Sequence, residues 1–204
     1  MKHRTLAVVS AGLSQPSSTR LLADQLSAAA VAAATTEGVQ LAVTVIELRD
    51  LAHDIANHLL TGFPPAALKE ALETVEGADA LIAVSPIFSA SYSGLFKSFF
   101  DVLDKDALAD KPVLIAATAG TARHSLALEH ALRPLFAYLR AATVPTAVFA
   151  AADDWGGETA EGALRTRIDR ATAELAREIN RREPAAVADP FALTKSFEDL
   201  LAEL

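Results

Sequence analysis

The chain contains no cysteine, which excludes disulfides, zinc ribbons, iron–sulfur ligation and thiol redox chemistry. That absence is compatible with a cytoplasmic protein. Long apolar runs are missing too: no uncharged segment approaches the roughly 18 residues needed to span a bilayer. The apolar run Thr5-Leu6-Ala7-Val8-Val9 behind Met1-Lys2-His3-Arg4 is too short for a secretory leader and no cleavage pattern follows it. There is no basic stripe. With 18 Lys and Arg against 26 Asp and Glu, the formal charge is −8, and the electrostatic footprint of a nucleic-acid binder is absent. The 9 glycines are scattered and match neither Gly-x-x-x-x-Gly-Lys nor Gly-x-Gly-x-x-Gly, so no dinucleotide fingerprint is present. His53 and His58, in His53-Asp54-Ile55-Ala56-Asn57-His58, have no recognised metal-ligand spacing and read as solvated loop.

What is present is a 204-residue chain that is 51% hydrophobic, enough for one globular domain with a substantial core. Strand-like and helix-like segments alternate. Strands are expected at Thr5–Ser10, Val39–Leu48, Ala80–Val84, Pro112–Thr118 and Val144–Ala150. Helices are expected at Thr19–Thr36, Ala66–Val75, Ser93–Leu103, Ser125–Arg140 and Ala160–Arg182. This alternation implies a doubly wound, five-stranded parallel sheet in a three-layer α/β/α arrangement, most simply in the order 2-1-3-4-5. Residues 1–183 form that domain. Pro184 opens an appended tail, 184–204, whose Phe191, Leu193, Phe197, Leu200 and Leu201 could pack on this subunit or on a neighbour.

In such a sheet, ligands bind outside the carboxyl ends of the strands where the strand order reverses. Three loops there are unusual. The first, Ser10-Ala11-Gly12-Leu13-Ser14-Gln15-Pro16-Ser17-Ser18-Thr19-Arg20, gathers five hydroxyls and an arginine at a helix start. One or two hydroxyls would serve as an ordinary cap; the cluster favours an anion site, and a mononucleotide phosphate in particular. The second runs from Ser85 to Gly94. Pro86 stiffens the turn and Phe88 offers an apolar surface to a flat heterocycle, although both also suit a plain strand end. The third, Thr118-Ala119-Gly120-Thr121-Ala122-Arg123-His124, permits close backbone approach at Gly120, and successive N–H groups there can face a ligand edge.

These loops together resemble the NAD(P)H-dependent FMN reductase family, of flavodoxin-like fold. The resemblance is greatest to reductases that feed two-component flavin monooxygenases of the alkanesulfonate and methanesulfonate type. It spans about residues 4 to 182 and rests on Ser85-Pro86-Ile87-Phe88, on Ser91 to Lys97 with Asp101, on Ala117 to Thr121 with His124, and on Ala127 to Leu135. It implies that Ser10, Ser17, Ser18, Thr19 and Arg20 hold the FMN phosphate. Pro86, Ile87, Phe88 and Ser91 would line the ribityl chain and ring, and Thr118, Ala119, Gly120 and Thr121 the pyrimidine edge. Many relatives begin the first loop with Gly-Ser-Pro-Arg, where this chain has Ala11-Gly12-Leu13. The implied reaction is hydride transfer from NADH or NADPH to FMN, with reduced flavin supplied to a partner monooxygenase and no side-chain nucleophile or general base. Two alternatives stay open: a flavin-bound reductase of quinones, azo dyes or metal oxyanions, and an electron carrier without pyridine-nucleotide activity.

Other features bear on assembly. Pro134 lacks an N–H, so the carbonyl of His130 loses its helical partner and a kink or π-bulge is expected there. The resemblance makes that helix a tetramer contact, with His130 in gating or assembly. Helix Ser93–Leu103 carries more than one apolar stripe through Leu95, Phe96, Phe99, Phe100, Val102 and Leu103, as if to cover a partner in a homodimer or homotetramer. Lys97 and Asp101, four residues apart on it, could form a surface pair. His124 is a candidate donor near the site, and Trp155 either covers the flavin or anchors a loop.

Overall fold

A computed structural model describes residues 1–184; the tail residues Phe191, Leu193, Phe197, Leu200 and Leu201 lie outside the described residues. The strands that form the centre of the sheet are β1 (Lys2–Ser10), β3 (Ala80–Phe88) and β5 (Pro112–Ala119). Each is an apolar run without alternation, because both of its faces are covered. With β2 (Val39–Glu47) at one edge and β6 (Ala142–Thr143) at the other, the parallel order is β2-β1-β3-β5-β6. A short β4 (Ser91–Tyr92) folds back antiparallel on β3, and β7 (Val148–Ala151) continues alongside β5.

Strand alternation divides the core. Leu6, Val8, Ile82 and Val84 face α1 (Ser18–Thr36) and α6 (Glu158–Arg181). Ala7, Val9, Leu81 and Ala83 face α3 (Ala66–Gly77), α4 (Gly94–Asp101) and α5 (Arg133–Tyr138). Helix α1 buries Leu22, Ala23, Leu26, Ala30 and Ala34, a stripe at spacings of one, three and four residues; its small alanines let it lie close to its neighbours. The expected doubly wound order is therefore present. Among the described residues the sheet has seven strands and not five, because of the β4 hairpin and because two short strands, β6 and β7, stand at the fifth position.

The break between them has a covalent cause. Pro145 has no ladder donor, so the expected strand Val144–Ala150 forms only from Val148, as β7, while β6 pairs just ahead of its expected start. The stranded groups are taken up by side chains. The Arg133 guanidinium donates to Thr143 Oγ1 at 3.1 Å, to the Val144 carbonyl at 3.2 Å and to the Pro145 carbonyl at 3.1 Å. Glu174 accepts from the Thr146 N–H and hydroxyl, both at 2.8 Å.

Two further expectations are changed, and the expected bulge at His130 is present. The segment holding His53 and His58 is not a loop but a helix, α2 (Ala52–Thr61), ended by Gly62 at φ 77° and anchored through the buried Ile55. The expected helix Ser125–Arg140 is a π turn over Leu128–Leu132 followed by α5, with the Arg133 N–H reaching back five residues to the Leu128 carbonyl. Pro134, unable to donate, sits just after it. Finally, the apolar excess of α4 is largely consumed within the subunit. Phe96, Phe99 and Phe100 are buried, and Phe100 meets Phe136 edge to face at 5.0 Å. Lys97 and Asp101 do form an exposed ion pair.

At the edge of the sheet opposite the three loops, Lys111 is 7% exposed and donates to the carbonyls of Val75 at 2.5 Å and Glu76 at 2.8 Å, closing the end of α3. Burial pushes its ammonium down to about 8, against smaller pulls upward from Glu76 and Asp79. The unfolded chain keeps this proton to about pH 10.4, so between pH 8 and pH 10.4 unfolding takes up a proton and stability rises with pH. Denaturant titrations at pH 7.5 and pH 10 should show wild type gaining about 1–3 kcal/mol relative to Lys111→Met over that interval. A constant difference between the two proteins would contradict the assignment.

Candidate functional site

The loops that leave β1, β3 and β5 share one edge of the sheet, and the strand register delivers them there. Ser10 pairs with Val84 on β3 and with Glu47 on β2, while Pro86 pairs with Thr118 on β5. The Ala11 N–H extends the ladder to the Val84 carbonyl at 3.0 Å before the first loop departs. A side chain at Gly12 would put its Cβ 2.1 Å from Ser17 Oγ, so only glycine lets the loop fold back onto the start of α1. Ser17 then caps that helix, its hydroxyl accepting from the Arg20 N–H at 3.2 Å. Ser18 is exposed at the first helical position. Among the described residues, the fully buried Ser10 Oγ has no hydrogen-bond partner. An unmet buried hydroxyl costs about 1–3 kcal/mol, which is unusual unless something else satisfies it.

The second loop is a tight hairpin. β3 runs on through Pro86, Ile87 and Phe88, and Phe88 pairs with Ser91 across a turn whose two central residues, Ser89 at φ 49° and Ala90 at φ 68°, are both left-handed. That is the backbone of a type I′ turn, normally built from Asn and Gly. Ser85 ties its base: the hydroxyl donates to the Pro86 carbonyl at 2.8 Å and accepts from the Ser93 N–H at 3.0 Å. Ser93 in turn caps α4 through the Phe96 N–H at 3.2 Å. Pro86 and Ile87 are buried, Ser91 is half-buried, and the Phe88 ring is left 48% exposed at the hairpin tip.

The third loop is joined to the first. Thr118 Oγ1 lies 2.8 Å from Thr19 Oγ1, and both threonines are buried. Thr19, grouped with the loop hydroxyls on sequence grounds, is thus a joint between two loops. Beyond it a Cβ on Gly120 would meet nothing within 4 Å, so packing inside the chain does not demand glycine there. Ala119 and Thr121 flank it half-buried, and Thr121 Oγ1 accepts from the Arg123 N–H at 3.4 Å.

The charges of the site were only partly legible in the sequence. Arg20 Nε donates to Asp24 Oδ1 at 2.8 Å, an i,i+4 pair readable from spacing, and Arg20 Nη1 donates to Glu47 Oε1. Glu47 was not foreseen; its nearness to Arg20 follows only from β2 lying beside β1. Hydrogen bonding to Asp24 first, then the pull of both carboxylates, holds the guanidinium above its ordinary value despite some desolvation. His124 is exposed in a short turn past the third loop. Trp155 packs with the α1 and α6 core and lines a groove of about 720 Å³ with Leu21, Ala29, Leu164 and Ile168, which makes it an anchor between helices. That groove takes no residue from a strand end, so the chemistry is assigned to the loop edge.

A doubly wound sheet with a hydroxyl-rich turn after its first strand, an aromatic shelf after its third and a glycine turn after its fourth long strand defines an α/β protein of the flavodoxin-like class. The model of the NADPH-dependent FMN reductase family matches residues 4–156, and the chain belongs to that family. It is 41% identical over 150 residues to an FMN reductase (NADPH) from Pseudomonas aeruginosa, covering 74% of this chain and 78% of that one. It is 38% identical over 172 residues to the NADH-dependent FMN reductase SfnE of Pseudomonas putida, covering 84% and 89%. A crystal structure of an oxidoreductase from Corynebacterium diphtheriae superposes with a TM-score of 0.86 at 49% identity, over 90% of this chain and all of that one.

The hairpin at Ser89 and Ala90 generates a stability prediction. Ala90→Gly removes a Cβ from a left-handed position, where an L side chain costs about 1–2 kcal/mol; after glycine's extra chain entropy a net gain of about 0.5–1 kcal/mol is expected. Equilibrium urea unfolding measures it, and a loss of stability would show that the turn is not formed.

Proposed function

We propose that the chain oxidises NADH or NADPH and reduces FMN held across the three loops, releasing reduced flavin to a partner monooxygenase. The observation that carries this reading is the convergence itself: the Thr19–Thr118 hydroxyl contact and the Ser10–Val84 and Pro86–Thr118 registers bring three loops to one edge, where a buried Ser10 hydroxyl stands unmatched. A phosphorylated, flat, amphipathic ligand suits those groups. Ser10, Ser17, Ser18 and the start of α1 would receive the phosphate by hydroxyls and backbone N–H groups, with Thr19 bracing them and Arg20 beside them. Pro86, Ile87, Phe88 and Ser91 would support ribityl chain and ring, and Thr118, Ala119, Gly120 and Thr121 would meet the pyrimidine edge with backbone donors. When bound, the flavin supplies the redox chemistry as acceptor of the nicotinamide hydride. The protein positions it, and backbone donors at the pyrimidine edge favour the negative charge of the reduced ring. No side-chain acid or base is assigned.

Cytoplasmic placement belongs to the same proposal, since the pyridine nucleotides consumed are held inside the cell. Among the described residues no helix is long and apolar enough to cross a membrane. Self-association as a homodimer or homotetramer is proposed as well. Its support is the apolar surface at the end of α2 and the turn after it, where Leu59, Leu60 and Phe63 are 50%, 87% and 80% exposed, together with the π turn at His130.

The deciding assay follows NADH and NADPH absorbance with and without added FMN. Flavin-dependent oxidation with exchangeable flavin supports the proposal. Flavin that survives gel filtration in stoichiometric amount points to a flavin-bound reductase of other acceptors, and no oxidation with either nucleotide removes the enzyme reading. A sharper check uses Gly120→Ala. Because the added Cβ meets no protein atom, thermal stability should hold within about 1 kcal/mol, while FMN affinity falls roughly tenfold or more if backbone and ligand approach closely there. Unchanged affinity would displace the ligand from the third loop.

A further inference from the structure

We propose that Glu47 is a positioning residue that holds the Arg20 guanidinium on carboxylates and keeps it from a flavin phosphate, so that FMN binds weakly and exchanges. The inference rests on the site proposed above and goes beyond it by assigning a residue that sets flavin affinity.

Three observations carry it. First, the only arginine of the first loop already donates from two of its three nitrogens, through Nε to Asp24 at 2.8 Å and through Nη1 to Glu47. A planar guanidinium binds phosphate best when both N–H groups of a pair are free to meet two oxygens; here each pair already has one member on a carboxylate. Second, the local charge has the wrong sign for an anion. One cation faces two carboxylates, and Glu47 lies in register with Ser10, the residue that opens the loop. A phosphate monoester carrying nearly two negative charges must displace a carboxylate from Arg20 and then sit beside it. Third, neutral donors are still available: Ser10 Oγ is buried without a partner and Ser18 is exposed at the start of a 19-residue helix. The phosphate is therefore received by hydroxyls and N–H groups while the charge stays committed elsewhere. Such a site gives the phosphate little weight, and ring contacts dominate. That suits a flavin that must leave.

The test compares FMN with riboflavin, which lacks the phosphate, by quenching of flavin fluorescence. Wild type should discriminate poorly between them. Glu47→Gln frees one arm of Arg20 and removes an anion; FMN should bind about tenfold more tightly, riboflavin should stay within about twofold, and FMN binding should become more sensitive to salt. Glu47→Asp, which keeps the charge, should retain the wild-type ratio. Asp24→Asn, on a different element, should shift the ratio in the same direction as Glu47→Gln, and adding Arg20→Ala to Glu47→Gln should abolish the gain. FMN affinity unchanged or weaker in Glu47→Gln overturns the inference, as does equal tightening of both flavins. If wild type binds neither flavin, the site reading itself fails and takes the inference with it.

Discussion

The loop edge depends on β1, β3 and β5 being covered on both faces. A strand buried on both sides cannot slip, because a shift of one residue would turn every side chain to the wrong layer. Leu6 and Val8 meet α1 and α6, whereas Ala7 and Val9 meet the helices opposite, so the register of β1 is fixed from both sides. That fixed register sets Ser10 beside Val84 and Pro86 beside Thr118. The hydroxyl contact between Thr19 and Thr118 then locks the first loop to the third. Precision at the edge is inherited from apolar packing in the middle.

The central strands were readable because their apolar runs are continuous, and the three loops were readable because their hydroxyls, proline and glycine interrupt those runs. The π turn was readable from covalent chemistry alone, since Pro134 cannot serve the His130 carbonyl. Helix α2 was not. Its ten residues bury only Ile55 fully, and His53, Asp54, Asn57 and His58 between the apolar positions drew the reading toward a solvated loop. The late start of the fifth strand was missed because Val144 to Ala150 is apolar enough to conceal the effect of Pro145. At the site, the hydroxyls and backbone turns were visible as local features. Glu47 and the reason for Gly12 were not, because each is defined by a contact with a segment distant in the chain.

The two edges of the sheet treat charge differently. At the edge away from the loops, Lys111 is buried against helix carbonyls, where its charge closes α3 at a desolvation cost. At the loop edge, Arg20 remains partly exposed and shares itself between two carboxylates. The first arrangement serves the fold. The second leaves the first loop without a net positive field.

The interrupted fifth strand also bears on how these molecules behave when crowded together. A parallel sheet ends in a row of unpaired amides and carbonyls onto which a foreign strand can be stitched. Here that border is broken at Pro145, and the groups exposed by the break are occupied by Arg133 and Glu174. A would-be template is thereby cut into pieces of two and four residues, the short lengths by which native edges are blunted.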